Sequence, residues 1–100
     1  MITSKQRAFL RGMGSTLEPI FQIGKSGVSP DVVSAIDAAL KVRELVKVTV
    51  LNNCEECDGN VREICDRVAE RTHAEPVQVI GHKFVIYRPA DKPKIELPKK

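Results

Sequence analysis

The chain predicts an α+β fold, ordered αβαβαββ, with three helices packed on a four-stranded mixed sheet in two or three layers. Three observations carry this expectation. Apolar residues recur at helical spacing in three separate stretches. Leu45 to Leu51 (LVKVTVL) alternates as a β-branched strand between two of those stretches. Two short strand-like runs close the domain around Gly81-His82, which reads as a hairpin. Strand–helix–strand connections imply parallel neighbours, and the hairpin adds an antiparallel strand. One hundred residues bound the whole to one domain with a modest core.

Each element has a local reason. Thr3 or Ser4 can cap a first helix reaching about Gly14, with Phe9, Leu10, Met13 and Leu17 sharing a face. Arg7 and Arg11 lie nearly opposite that face, flanked by Lys5, while Gly12 and Gly14 weaken the helix end. After Glu18-Pro19, a short strand runs from Ile20 to Ile23. Ser29-Pro30-Asp31 is a strong helix opening: a capping hydroxyl, proline at the first helical position, then a carboxylate in the first turn. Val32, Val33, Ile36, Ala39 and Leu40 form the stripe that helix buries, and Lys41 and Arg43 suit its C-terminal end. Asp58 or Asn60 can cap a third helix to about His73, with Val61, Ile64, Cys65 and Val68 inward. Glu75 to Ile80 and Lys83 to Arg88 are the closing strands. The domain is expected to span residues 1–88. Residues 89–100, with three prolines and four lysines, are expected to form a mobile tail.

Between the first strand and the second helix lies Gly24-Lys25-Ser26-Gly27, a G-x-x-G loop with a lysine inside it. Glycines let a backbone approach a bulky anion, and a helix N-terminus aims N–H groups and positive dipole at the same spot. Lys25 adds a full charge. A phosphate backbone is the ligand this chemistry fits. On the four residues alone, a tight turn needing glycine at positive φ is the stronger reading; the surroundings shift the balance.

Charge is one such surrounding. The net +3 is mild, but residues 1–29 carry four basic groups and one acid, whereas residues 30–88 carry eight basic and ten acidic groups. The glycine loop thus sits in a positive third of the chain. Four aromatic residues and no tryptophan argue against recognition by rows of stacked rings. No apolar run reaches membrane-spanning length, and three cysteines argue against a disulfide framework. A soluble, reduced, cytoplasmic protein is expected, with no membrane partner.

The segments TSKQRAFLR at 3–11, LEPIFQIGKSGVSPDVV at 17–33, ELVKV at 44–48 and VQVIGHKFVIYRP at 77–89 resemble the CRM domain, the chloroplast RNA splicing and ribosome maturation module. They are most similar to its stand-alone bacterial, YhbY-like form, and span nearly all of residues 3–89. The resemblance implies a fold similar to the C-terminal domain of a bacterial translation initiation factor. It also implies RNA binding, and association with precursors of the large ribosomal subunit. It maps the family's glycine loop onto Gly24, Lys25, Ser26 and Gly27, its basic first helix onto Lys5, Arg7 and Arg11, and its last basic strand residue onto Arg88. Lys83 is a weaker candidate for the same surface. His82-Lys83-Phe84 departs slightly from the family pattern after the late glycine. KH domains also clamp RNA with a G-x-x-G loop, but theirs joins two helices.

Two other readings compete. The acidic Glu55–Glu75 region could face a basic ribosomal protein. Cys54-Glu55-Glu56-Cys57, between a strand and a helix, has the setting of a thiol redox pair, although neighbouring carboxylates would raise the thiol pKa. A second C-x-x-C for zinc is absent, and Cys65 falls at a core position. No nucleophile–base spacing or nucleotide fingerprint stands out. The expectation is a monomeric RNA-binding protein, not an enzyme, with no cofactor, metal or small-molecule substrate.

Overall fold

Side-chain capping sets where the first two helices begin. In the computed structural model, which describes residues 3–24, 27–51 and 61–89, Thr3 accepts from the Gln6 N–H at 3.1 Å. The Gln6 side chain returns the bond to the Thr3 N–H at 2.9 Å, closing a capping box. Helix α1 then runs Ser4–Gly14. Strand β1 is Phe21–Ile23, one residue shorter than the sequence suggests. Ser29 caps helix α2, Pro30–Arg43, by accepting from the Val32 N–H. Strand β2 (Leu45–Val50), helix α3 (Val61–Thr72), strand β3 (Glu75–Ile80) and strand β4 (Lys83–Tyr87) complete the predicted order. Asp58 and Asn60, the candidate caps of α3, lie outside the described residues, as do Cys54, Cys57 and residues 90–100 of the expected tail.

The strands lie in the order β1-β2-β4-β3. β1 pairs parallel with β2, and β4 pairs antiparallel with both β2 and β3. One expectation needs correcting. β2 and β3 flank a helix and run parallel, yet they are not neighbours, because β4 is inserted between them. Composition explains the placement. Phe84, Val85, Ile86 and Tyr87 are all buried, so β4 needs cover on both faces. β3 carries Pro76, which cannot donate to a ladder on both sides and suits an edge.

The two faces are covered unequally. On one, α2 and α3 bury a large core that includes Ile23, Ile36, Leu40, Val48, Ile64, Val68, Phe84 and Ile86. On the other, α1 alone lies over β2, β4 and β3. It covers a small cluster of Leu10, Leu45, Val77, Val85 and Tyr87, with Leu17 alongside. Phe9 and Met13, expected on the inner face, are instead 42% and 36% exposed. The helix is rotated because Gly14 sits directly against β4. A Cβ there would meet Val85 Cγ2 at 3.1 Å. The glycine read from sequence as a weak helix end is therefore a close-approach point. Lys47 secures the same end, its Nζ donating to the carbonyls of Gly14 (3.3 Å) and Leu17 (3.2 Å).

Candidate nucleic-acid interface

The glycine loop leaves the C-terminal end of β1 and enters the N-terminus of α2. Its closing bond runs from the Gly27 N–H to the Gly24 carbonyl, 2.9 Å. Gly27 holds φ +65, a left-handed conformation that disfavours any side chain. The Ser29 N–H then donates back to the Gly27 carbonyl at 3.1 Å, and Ser29 caps the helix. Lys25 and Ser26, the inner residues of the turn, lie outside the described residues. The tight-turn reading is met at Gly27, and the turn leads directly into the capped N-terminus of α2. Asp31, exposed in the first turn, already places one negative charge at that end.

Lys83 belongs to the same end of the sheet. Gln22 pairs with Thr49, and Thr49 pairs with Lys83, which makes one row across β1, β2 and β4. Lys83 is exposed in that row, two strand spacings from β1, roughly 10 Å. The Val50 N–H donates to the His82 carbonyl at 2.6 Å, which holds the hairpin against β2.

The arginines of α1 are elsewhere. Arg7 and Arg11 line a concavity at the opposite, β3 edge, together with Arg62 and Asp66 of α3 and residues 76–79 of β3. Three strand spacings, roughly 14 Å, separate the two edges. Arg7 is half-buried, not on a freely solvated face, and Lys5 and Arg11 are exposed. The structure thus does not bring the α1 arginines beside the glycine loop. Arg62 and Gln78, which share their concavity, were not singled out from sequence. Only tertiary packing of α3 and β3 against α1 joins them.

Arg88 holds the fold together, a part the resemblance does not imply. Its guanidinium donates to Asp37 Oδ1 (2.5 Å), the Asp37 carbonyl (3.0 Å) and the Thr72 carbonyl (2.7 Å). It therefore ties α2 to the end of α3, behind the sheet, and only 18% of the side chain is exposed. The guanidinium bond, together with the nearby Arg88 and Lys41 charges, holds the Asp37 carboxyl below the usual carboxylate range against its own partial desolvation. Cys65 is equally committed to structure. Burial, reinforced by Asp66 and opposed by Arg62, pushes its thiol up to about 12. Among the described residues no cluster of three or more His, Cys, Asp or Glu side chains could hold a metal. No helix among them is long and apolar enough to cross a membrane.

Fold and site define a small α+β module whose one sheet carries a glycine turn at one edge and an arginine-lined concavity at the other. The chain belongs to the CRS1/YhbY (CRM) domain family, whose model matches residues 2–88. It is 43% identical over 99 residues to the Bacillus subtilis protein named "Probable RNA-binding protein YqeI", covering 98% of this chain and all of that one. A Haemophilus influenzae protein named an RNA-binding protein is 36% identical over 100 residues, covering 99% of this chain and 97% of its own. The solution structure of SAV1595 from Staphylococcus aureus superimposes with a TM-score of 0.81. It is 42% identical and covers 98% of this chain and all of that one. The α+β architecture expected from sequence is therefore shared with a solved relative.

Proposed function

We propose that this protein binds RNA, catching the phosphate backbone at the Gly24–Gly27 turn, and that it acts on precursor rRNA of the large ribosomal subunit during assembly. The observation that carries the binding reading is the turn itself. Gly27 at positive φ closes it directly before the capped N-terminus of α2, and Lys25 lies within it. The RNA-binding names of its relatives support the same reading. Lys83, and more distantly Arg7, Arg11 and Lys5, extend the positive surface along the thinly covered face. Arg88 is left out of the contact set because both of its terminal nitrogens already donate within the fold. The protein would act as a monomer in the cytoplasm, and the large-subunit assignment rests on the family resemblance.

Lys25→Glu tests the loop without disturbing the strained Gly27. It should lower affinity for single-stranded RNA about tenfold with an unchanged circular-dichroism spectrum, a loss of about 1.4 kcal/mol. Unchanged affinity would sink the loop assignment. The ribosomal role is tested by sedimentation of cell lysate at low salt. Comigration with particles just lighter than the mature large subunit, lost on RNase treatment, is expected. A protein confined to the top of the gradient would remove that role and keep the RNA-binding one.

A further inference from the structure

Phe9 and Met13 stand out of α1 into solvent, 42% and 36% exposed. The fold holds them there. Leu10 is wholly buried beneath the helix, and Gly14 lies against Val85 where a Cβ would already be crowded. A roll of α1 that buried Phe9 would lift Leu10 from its cluster and bring a side chain onto Val85. Lys47, bound to the carbonyls of Gly14 and Leu17, fixes the same end.

Helix geometry sets which way the pair faces. Successive residues turn by about 100°. With Leu10 inward and Arg7 and Arg11 toward β3, Phe9 and Met13 fall on the opposite flank, toward β1. Helix α1 lies over β2, β4 and β3 and leaves that strip open. Phe21 and Ile23 turn to the main core, so Ile20 and Gln22 are the β1-side residues of the strip, and both are exposed. From Ile20 the strip runs roughly 13 Å along β1 to the Gly24 turn. Lys5, Phe9 and Met13 recur every fourth residue and so form one stripe on the helix. Residues 3–17 carry three cations and no acid.

Area and charge select the occupant. A whole aromatic side chain presents about 150–250 Å², so Phe9 and Met13 together leave well under about 200 Å² open. A stable protein interface needs about 800 Å² from each partner. A second copy would also set one positive helix against another. One ring on an acid-free helix instead suits a nucleobase, whose own backbone is an anion.

We infer that Phe9 is a stacking platform for one unpaired base of single-stranded RNA, with Met13 beside it and Lys5 on the adjoining phosphate. The glycine turn holds the same RNA strand further along β1. The inference rests on the RNA-binding reading and adds a base contact to a phosphate-binding site. Every base has a π-face, so the platform tolerates any sequence.

The chain has no tryptophan, so Phe9→Trp puts a single fluorophore on the platform. The full Phe9→Trp chain is titrated with a single-stranded RNA oligomer and, separately, with inorganic polyphosphate. RNA should quench the emission, whereas polyphosphate, which offers charge without a base, should not. Affinity is read in parallel by anisotropy of labelled RNA. Phe9→Leu keeps apolar bulk but loses the ring, and should weaken binding about fivefold or more at an unchanged denaturation midpoint. Phe9→Tyr should bind as wild type does. The salt dependence of Phe9→Leu should keep its full slope, because no phosphate contact is lost, while Lys25→Glu should flatten it. RNA bound without quenching, or Phe9→Leu at wild-type affinity, would overturn the platform and leave the RNA reading standing. Equal quenching by polyphosphate would overturn it in favour of a remote effect of charge. An emission shift with protein concentration alone, with dimers in sedimentation equilibrium, would give the stripe to a second copy. If wild-type protein binds no RNA, the platform and the RNA reading fall together.

Discussion

The two faces of the sheet divide the work of the molecule. The face under α2 and α3 is sealed by apolar packing, with Ile36, Leu40, Ile64, Val68 and Phe84 almost wholly buried. The Arg88 clamp joins the two helices at one end. The face under α1 is thin: five buried residues, a lysine capping the helix end, exposed Phe9 and Met13, and a polar concavity at the edge. Apolar burial is concentrated on the first face, and the exposed cations Lys5, Arg11 and Lys83 lie on the second and at its ends. The comparison makes a claim that mutations can break. Changes on the sealed face should cost stability and spare affinity, and changes to the exposed cations of the open face should do the reverse.

The largest effect is expected at Ile36, fully buried in the main core. Ile36→Ala should cost about 2–5 kcal/mol in chemical denaturation, through lost burial and the cavity left behind. RNA affinity of the folded fraction should be unchanged. A selective loss of affinity at full stability would erase the division between the faces.

Next comes Arg88→Gln. The bonds to the Thr72 and Asp37 carbonyls alone should be worth about 2 kcal/mol. The Asp37 bond adds a pH signature. Its carboxyl is held below the ordinary value of 3.8, so the contribution is fully present above that pH and is lost as pH falls through the lower folded value. The gap between the denaturation midpoints of wild type and Arg88→Gln should therefore narrow as pH drops below about 4, down to what the carbonyl bonds sustain. A constant gap down to the acid limit would show that the Asp37 carboxylate contributes nothing to the clamp. Lost RNA binding in the folded variant would restore Arg88 to the contact surface.

What the sequence revealed follows from how local each signal is. The caps at Thr3 and Ser29, the alternation of LVKVTV and the glycine turn are written in neighbouring residues, and all were legible. Insertion of β4 between β2 and β3 was not, because connection rules alone favour parallel neighbours. The apolarity of KFVIY on both faces was the available clue. Gly14 misled because its value depends on Val85, seventy-one residues away by number, and not on helix propensity. Arg88 was unreadable for the same reason. The partners that hold it sit on α2 and α3, and in β3 a bulge shifts the side-chain period by one.

Gly14→Ala probes the open face at smaller scale. The new methyl would press on Val85 at about 3.1 Å, where the small core leaves little room to yield. Helix propensity favours alanine by up to about 1 kcal/mol, while overpacking costs about 1–3. A net loss of about 1 kcal/mol is expected from that difference. Val85→Ala in the same background should relieve the clash, so the pair should show a favourable coupling in a double-mutant cycle. Additive losses would mean that α1 already shifts to accommodate the methyl.

The smallest effect sharpens the comparison most, because it separates the two ends of the open face. Lys83 shares a sheet row with Gln22 and Thr49, on the glycine-loop side, and is exposed with no ion pair among the described residues. A single exposed lysine near a phosphate contributes modestly, so Lys83→Gln should weaken RNA binding only about two- to threefold, with stability within about 0.5 kcal/mol of wild type. Its loss should also reduce the steepness of the salt dependence by roughly one unit, since one fewer phosphate would be neutralised. A variant that keeps the full salt slope would place the phosphate track away from Lys83.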